Sequence, residues 1–205
     1  MAFDQKCQLL IVGDSTVGKT SILLRFAQDK FNPNYLATVG IGFFTKDVII
    51  EKKKIHVKMW DTAGQERYKS LTAGFFRNGQ GILIVYDVKN EHSFENLKYW
   101  IESIQNNATH IKNIPKIIIG NKIDIKDREI SKEKAEEFAN NYNCKYFEVS
   151  AKTGEGIDVA LKYLIKKVLE YIDKEEGVIR KESITIKKSD NNNDKKDKKS
   201  CCNKQ

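Results

Sequence analysis

Proline is scarce in this chain, two residues in 205, and there are only four cysteines. That composition excludes a collagen-like repeat, a proline-rich spacer and a disulfide-stapled scaffold. The cysteines divide into Cys7, Cys144 and the adjacent pair Cys201 and Cys202, with no metal-ligand spacing among them. Long hydrophobic runs are missing too: none approaches the roughly 18 apolar residues that span a bilayer. The opening residues 1–4 (MAFD) lack the charged-then-apolar pattern of a secretory leader. A reducing, cytosolic setting is the expectation, with Cys7, inside an apolar stretch, as a core side chain. Acidic residues are in deficit, and the formal net charge of +8 would by itself suggest a nucleic-acid or anionic-membrane partner. Position decides between them: residues 178–205 hold nine basic and four acidic side chains, so five of the eight charges sit in the tail. Those lysines have no aromatic residues among them on which bases could stack, so a membrane surface is favoured over nucleic acid.

What is present is a chain of 205 residues, 40% of them hydrophobic, enough for one domain with a real core. Short Ile- and Val-rich runs at 82–86 and 116–119 read as buried strands, as do 6–12 and 145–149. Residues 43–50 and 55–60 read as a hairpin around the charged turn 51–54. Helical spacing appears in Ile22, Leu23 and Phe26, and again in Phe94, Leu97, Trp100, Ile101 and Ile104. A further helix should use Ala135, Phe138 and Ala139 behind an N-cap at Ser131. The last helix carries Ile157, Leu161, Leu164, Ile165 and Val168 on one stripe and is expected to end near Gly177. Strands alternating with helices predict an α/β domain over 1–177, a mostly parallel sheet covered on both faces, with ligands bound beyond the C-terminal strand ends. From Lys187 onward the apolar period is lost, and the segment 178–205 is expected to be a flexible basic tail.

Three strand ends carry chemistry. Residues 13–20 (GDSTVGKT) match G-x-x-x-x-G-K-[ST] between a strand and a helix. In that context Ser15, Thr16, Val17, Gly18, Lys19, Thr20 and Ser21 form a backbone cradle for phosphates, with Lys19 as mobile positive charge and the Thr20 hydroxyl toward Mg²⁺. Asp61 to Glu66 (DTAGQE) follow the next core strand. Asp61 is a hard-cation ligand, the Gly64 N–H can approach a γ-phosphate, and Gln65 can orient an attacking water. Residues 121–124 (NKID) stand at a later strand end. The Asp124 carboxylate matches the paired ring N–H and amino donors of guanine and would be badly paired with adenine. Lys122 can lay its stem along the purine, Asn121 can fasten neighbouring loops, and the Ala151 N–H of Ser150, Ala151 and Lys152 can donate to guanine O6.

These segments together resemble the Ras superfamily of small GTPases and, within it, the Rab branch, through 13–20, 60–68 (WDTAGQERY), 75–77 (FFR) and the Cys-Cys end. The resemblance spans roughly residues 7–172 and implies a P-loop NTPase fold with a six-stranded sheet. It implies GTP as substrate and GDP as product, Mg²⁺ as cofactor, and Lys19 and Gln65 as catalytic groups. Thr38 is implied as a switch threonine that reaches Mg²⁺ with Thr20 and Asp61, and Phe31 as an aromatic against the guanine. Phe43, Trp60 and Phe75 resemble the aromatic cluster that sorts partners. The family's partners are an exchange factor, a GTPase-activating protein, GTP-dependent effectors, a prenylation escort and a GDP-dissociation inhibitor, and the chain is expected as a monomer. Cys201 and Cys202 resemble a double-prenylation site; two lipids anchor where one gives marginal residence, placing the protein on the cytosolic leaflet of intracellular membranes, with a cytosolic pool. Three departures stand out: Gly42 where the family usually has an acid, Thr16 where it commonly has glycine, and Asn78-Gly79 where Gly-Ala is usual. Gly42 bears on which effectors are read, and Thr16 leaves open a GTP-binding interaction module with negligible hydrolysis.

Overall fold

The computed structural model describes residues 3–33, 41–62, 79–107 and 114–193, and from 176 to 193 only the backbone course. Six strands form one sheet: β1 (Gln5–Gly13), β2 (Ile41–Ile50), β3 (Lys53–Thr62), β4 (Gly81–Asp87), β5 (Lys116–Asn121) and β6 (Lys145–Val149), in the order β2-β3-β1-β4-β5-β6. Only the β2–β3 pairing is antiparallel; β1 runs parallel to both β3 and β4, and β5 and β6 continue in the same sense. The expected P-loop-type α/β sheet is therefore the one found. Strands added after β1 go to one side of it and strands from β4 onward to the other, so the C-terminal end of β1 is the switch point where such sheets bind ligands.

The described residues form five helices, four between strands and the last after β6: α1 (Lys19–Gln28), α2 (Glu91–Glu95), α3 (Leu97–Asn107), α4 (Lys132–Asn141) and α5 (Ile157–Asn193). Alternation along β1 divides its core. Leu10 and Val12 join Ile82, Ile84 and Tyr86 beneath Phe94, Trp100, Ile101 and Ala135 of α2, α3 and α4. Leu9 faces the other way, and a side chain on Gly81 would strike it together with Leu164 and Val168 of α5. On that second face Lys46 of β2 sits over the Phe26 ring of α1 and 3.9 Å from Asp158 of α5. Helices thus cover both faces, which is why β4 is buried along its whole length.

Local chemistry sets the boundaries. The hairpin turn is tighter than the four residues its charge pattern suggests: Ile50 pairs with Lys53, and only Glu51 and Lys52 turn the chain, both at positive φ (50° and 70°). A two-residue turn of that kind matches the twist of the flanking strands. Ser131 caps α4 as expected, its hydroxyl accepting from the Lys134 N–H at 3.2 Å. The apolar period across 94–104 is carried by two helices, separated at Asn96.

The chain forms two compact units, Met1–Val168 and Leu169–Gln205. The helix expected to end near Gly177 instead continues as α5 to Asn193, into the segment expected to lack structure. One glycine costs a helix about 1 kcal/mol relative to alanine, and it ends a helix only when it takes up a left-handed cap. Residues 180–182 (RKE), just beyond it, are good helix formers. Among the described residues no helix is long and apolar enough to cross a membrane.

Candidate functional site

The loop between β1 and α1 is built around two glycines that nothing larger could replace. Gly13 (φ 140°) lies so close to β4 that a Cβ would stand 2.2 Å from the Val85 carbonyl oxygen. Gly18 (φ 94°) starts α1, and a Cβ there would meet the Asn121 side-chain nitrogen at 2.4 Å. No side chain caps α1. The N-terminus of α1 opens onto this loop, the arrangement that suits an anion. Between the glycines Ser15 and Thr16 are exposed and Val17 is fully buried.

Lys19 is buried, 5% exposed, and its ammonium donates to the carbonyls of Gly13 (2.9 Å) and Asp14 (2.7 Å). Burial draws it down to about 8, against the upward pull of Asp61 and Asp14. Asp61, at the end of β3 and 3% exposed, accepts from the Thr20 hydroxyl at 2.7 Å. Its other oxygen, Oδ1, is buried with no hydrogen-bond partner among the described residues, and burial pushes the carboxyl above its usual range. A buried orphan carboxylate oxygen beside a threonine hydroxyl is the donor chemistry of a hard divalent cation, so Thr20 and Asp61 fit Mg²⁺. Thr38, Gly64 and Gln65 lie outside the described residues, as do Phe75, Cys201 and Cys202.

Asn121 ties three loops together. Its side chain donates to the Val17 carbonyl at 2.8 Å and accepts from the Ala151 N–H at 3.1 Å, while the residue is 1% exposed. The loop-fastening role expected of it is thus the geometry found, made possible by the missing side chain at Gly18. Ala151 differs from expectation: its N–H, read as a donor to the base, is given to Asn121 here. Lys122 stands at φ 71°, and its ammonium meets Asp87 at 2.6 Å, leaving its stem along the cleft wall. Asp124 accepts from the fully buried Ser150 hydroxyl at 2.6 Å and lies 3.7 Å from the Lys152 ammonium.

A cleft of about 420 Å³ opens between the phosphate loop and the base loops. It is lined by Thr16, Gly18 and Ser21, by Phe31, and by Asn121, Lys122, Asp124, Ala151 and Lys152. It is large enough for a mononucleotide. Among the described residues no group of three His, Cys, Asp or Glu could hold a metal.

Three supporting groups escaped the sequence reading. Arg25 of α1 donates to the carbonyls of Ala151 (3.0 Å) and Lys152 (2.7 Å), bracing the base loop from the phosphate helix. Asp87 pins Lys122. The Asp14 carboxylate accepts from Asn96 (2.7 Å) and from the Trp100 indole (2.8 Å), tying the phosphate loop to α3. Only Asp87 left a trace, as a polar residue directly after an apolar strand.

A family model described as the Ras family matches residues 8–170 of this chain. Ras-related protein Rab-13 of Bos taurus is 43% identical over 169 residues, 82% of each chain. Ras-related protein Rab-8B of Homo sapiens is 40% identical over 168 residues, 82% of this chain and 80% of its own. Ras-related protein Rab-8A of Bos taurus is 40% identical over 173 residues, 84% of this chain and 83% of its own.

Proposed function

The chain belongs to the Ras superfamily, among the Rab-like small GTPases, and on that footing we propose that it is a GDP/GTP switch that hydrolyses GTP and recruits effectors in intracellular vesicle trafficking. The observation that carries the proposal is the cleft that the phosphate loop, Phe31 and the Asn121–Asp124 loop line together. In this reading the base sits between Phe31 and the Lys122 stem, with Asp124 accepting its two N–H donors. The Ser150 hydroxyl fixes that carboxylate, so selectivity rests on a preset acceptor, and a base presenting an acceptor in its place would leave Asp124 badly paired beneath it. Guanine O6 would share the Ala151 N–H with Asn121.

At the phosphate end, Lys19 exchanges its two backbone carbonyl partners for phosphate oxygens, and the N–H groups at the start of α1 take up charge that grows toward the transition state. Mg²⁺, held by Thr20, Asp61 and Thr38, would supply further positive charge at the terminal phosphates. Gln65 orients the attacking water in line with the γ-phosphate. The loop holds no arginine, so unassisted turnover is slow and an activating protein supplies the missing charge. Loss of the γ-phosphate releases Thr38 and Gly64, and the effector surface relaxes.

The segment 178–205 serves as tether: double lipidation at Cys201 and Cys202, with the neighbouring lysines, holds the protein on an anionic cytosolic leaflet. Exchange factor, activating protein, prenylation escort and GDP-dissociation inhibitor are its proposed regulators.

Single-turnover hydrolysis of bound GTP tests the enzymatic half. Gln65→Leu should retain GTP and lose most of its turnover, and a normal rate in that variant would remove Gln65 from its role. Localisation of N-terminally tagged protein tests the tether. Changing Cys201 and Cys202 together to serine should release it to the cytosol, and an unchanged membrane pattern would refute lipid anchoring. The strained backbone at Thr16 favours a second reading, a GTP-binding module with negligible hydrolysis. Absence of turnover even with a matched activating protein would decide for it.

A further inference from the structure

Beneath the base loops the sheet buries a row of polar groups that the cleft itself does not use. Tyr86, Gly120 and Glu148 stand side by side on β4, β5 and β6, one step before the rung of Asp87, Asn121 and Val149. A Cβ added at Gly120 would come within 2.6 Å of the Tyr146 hydroxyl and 2.9 Å of that of Tyr86, so the missing side chain admits both phenols. Their oxygens meet at 2.9 Å, Tyr86 fully buried and Tyr146 8% exposed. The Tyr146 hydroxyl donates to Glu148 Oε1 at 3.1 Å, and Arg128 donates to the same oxygen at 2.6 Å.

Proton count fixes the direction of this row. Each phenol has one hydrogen to give, and a carboxylate only accepts. Since Tyr146 gives its hydrogen to Glu148, the contact between the phenols uses the hydrogen of Tyr86. Burial raises both groups, Tyr86 to about 12, so both keep their hydrogens at neutral pH. Tyr146 is thus the middle member: deleting its oxygen strands the buried Tyr86 donor and takes the inner partner from Glu148. The outer partner is no substitute. Arg128 and Glu148 are 33% and 20% exposed at their side chains, and an ion pair at such a rim adds little and holds loosely.

Both base loops are anchored at Glu148. Arg128 lies in the connection that follows Asp124, and its guanidinium also donates to the Ile130 carbonyl at 2.7 Å. Ser150, whose hydroxyl sets Asp124, is two residues beyond Glu148. The loop after it folds back so closely that a Cβ at Gly156 would lie 2.3 Å from the Glu148 carbonyl oxygen. A shift of Glu148 therefore moves Ser150 against Arg128, and the Asp124 carboxylate with them. We propose that the Tyr146 hydroxyl is a positioning group for base recognition: through Glu148 it sets the spacing of the loops that aim Asp124 at the base. The inference rests on the reading of Asp124 as acceptor of the two guanine N–H donors.

Discrimination between GDP and inosine diphosphate, measured by competition on the full chain, tests it. Hypoxanthine lacks only the amino group of guanine, so the ratio of the two dissociation constants reads the second hydrogen bond to Asp124. The unaltered protein should favour GDP. Tyr146→Phe keeps the ring and should lower that preference about fivefold. Glu148→Gln should lower it too, since it gives up the charge that Tyr146 and Arg128 share. Tyr86→Phe deletes a hydroxyl from the same core yet leaves Tyr146 donating to Glu148, so it should keep most of the preference. An unchanged ratio in Tyr146→Phe, or an equal fall in Tyr86→Phe, would make the row a stabiliser of the core alone and overturn the proposal. No preference for GDP in the unaltered protein would instead remove Asp124 from its assigned role, and the positioning role with it.

Discussion

Thr16 holds a β-branched side chain in the left-handed region, at φ 64°, in the loop that lines the cleft. For an L-residue that conformation costs roughly 1–2 kcal/mol, and branching at Cβ places it at the upper end. Glycine would remove the strain but adds freedom to the unfolded chain worth roughly 0.5–1 kcal/mol. Thr16→Gly should therefore stabilise the protein by about 1–1.5 kcal/mol, read from urea unfolding of the nucleotide-free form. If single-turnover hydrolysis also rises in that variant, the threonine restrains turnover as well as folding. Much of this loop was legible residue by residue, because the motif dictates where Gly13, Gly18 and Lys19 must stand. Their neighbours were not. That Asn121 reaches across Gly18, or that Asp87 receives the Lys122 ammonium, depends on which strands lie side by side, and local sequence does not encode strand order.

Asn96 divides what the apolar period presents as a single helix. Phe94 belongs to α2, while Leu97, Trp100, Ile101 and Ile104 belong to α3, so the buried stripe is continuous although the element is not. The Asn90 side chain caps α2, accepting from the Ser93 N–H at 3.0 Å. From the break, Asn96 reaches Asp14, and Trp100 reaches the same carboxylate one turn later. The pair makes α3 a brace for the phosphate loop, since the backbone of Asp14 also carries a carbonyl that holds Lys19. A hydrogen bond to a charged acceptor is worth about 1.5–3 kcal/mol. Trp100→Phe keeps the ring in the core and deletes the donor, so it should cost about 1–2 kcal/mol, less than the full value because Asn96 retains Asp14. Its readout beyond stability is faster release of bound GDP, followed with a fluorescent nucleotide. Periodicity could find the helical stripe here because burial is a repeating property. The brace was invisible to it, since a single polar contact from a core tryptophan has no period.

At the scale of the molecule, three strand ends far apart in sequence, those of β1, β3 and β5, arrive at one rim because β1 lies between β3 and β4 and β5 follows β4. The sequence showed which segments were strands and what each end carried; a parallel sheet, together with the family resemblance, implied the rest. Where it misled was the C-terminal helix, since a lone glycine reads as a stop although its cost is small beside the helix that precedes it. Convergence has a thermodynamic consequence. A ligand that bridges the phosphate loop and the base loop binds the folded chain alone, so it must raise global stability, by about 2.7 kcal/mol at a hundredfold excess over Kd. For a domain of this size that corresponds to roughly 5–10 °C in Tm. GDP with magnesium should produce such a shift and ADP almost none, because the fixed acceptor at Asp124 would face the wrong edge of adenine. Asp124→Asn replaces an acceptor with an amide that also donates. The shift should then shrink with GDP and grow with xanthosine diphosphate, whose ring carries a carbonyl where guanine carries an amino group. Equal shifts with GDP and ADP in the unaltered protein would mean that the base loop senses nothing, and that phosphate alone fills the cleft.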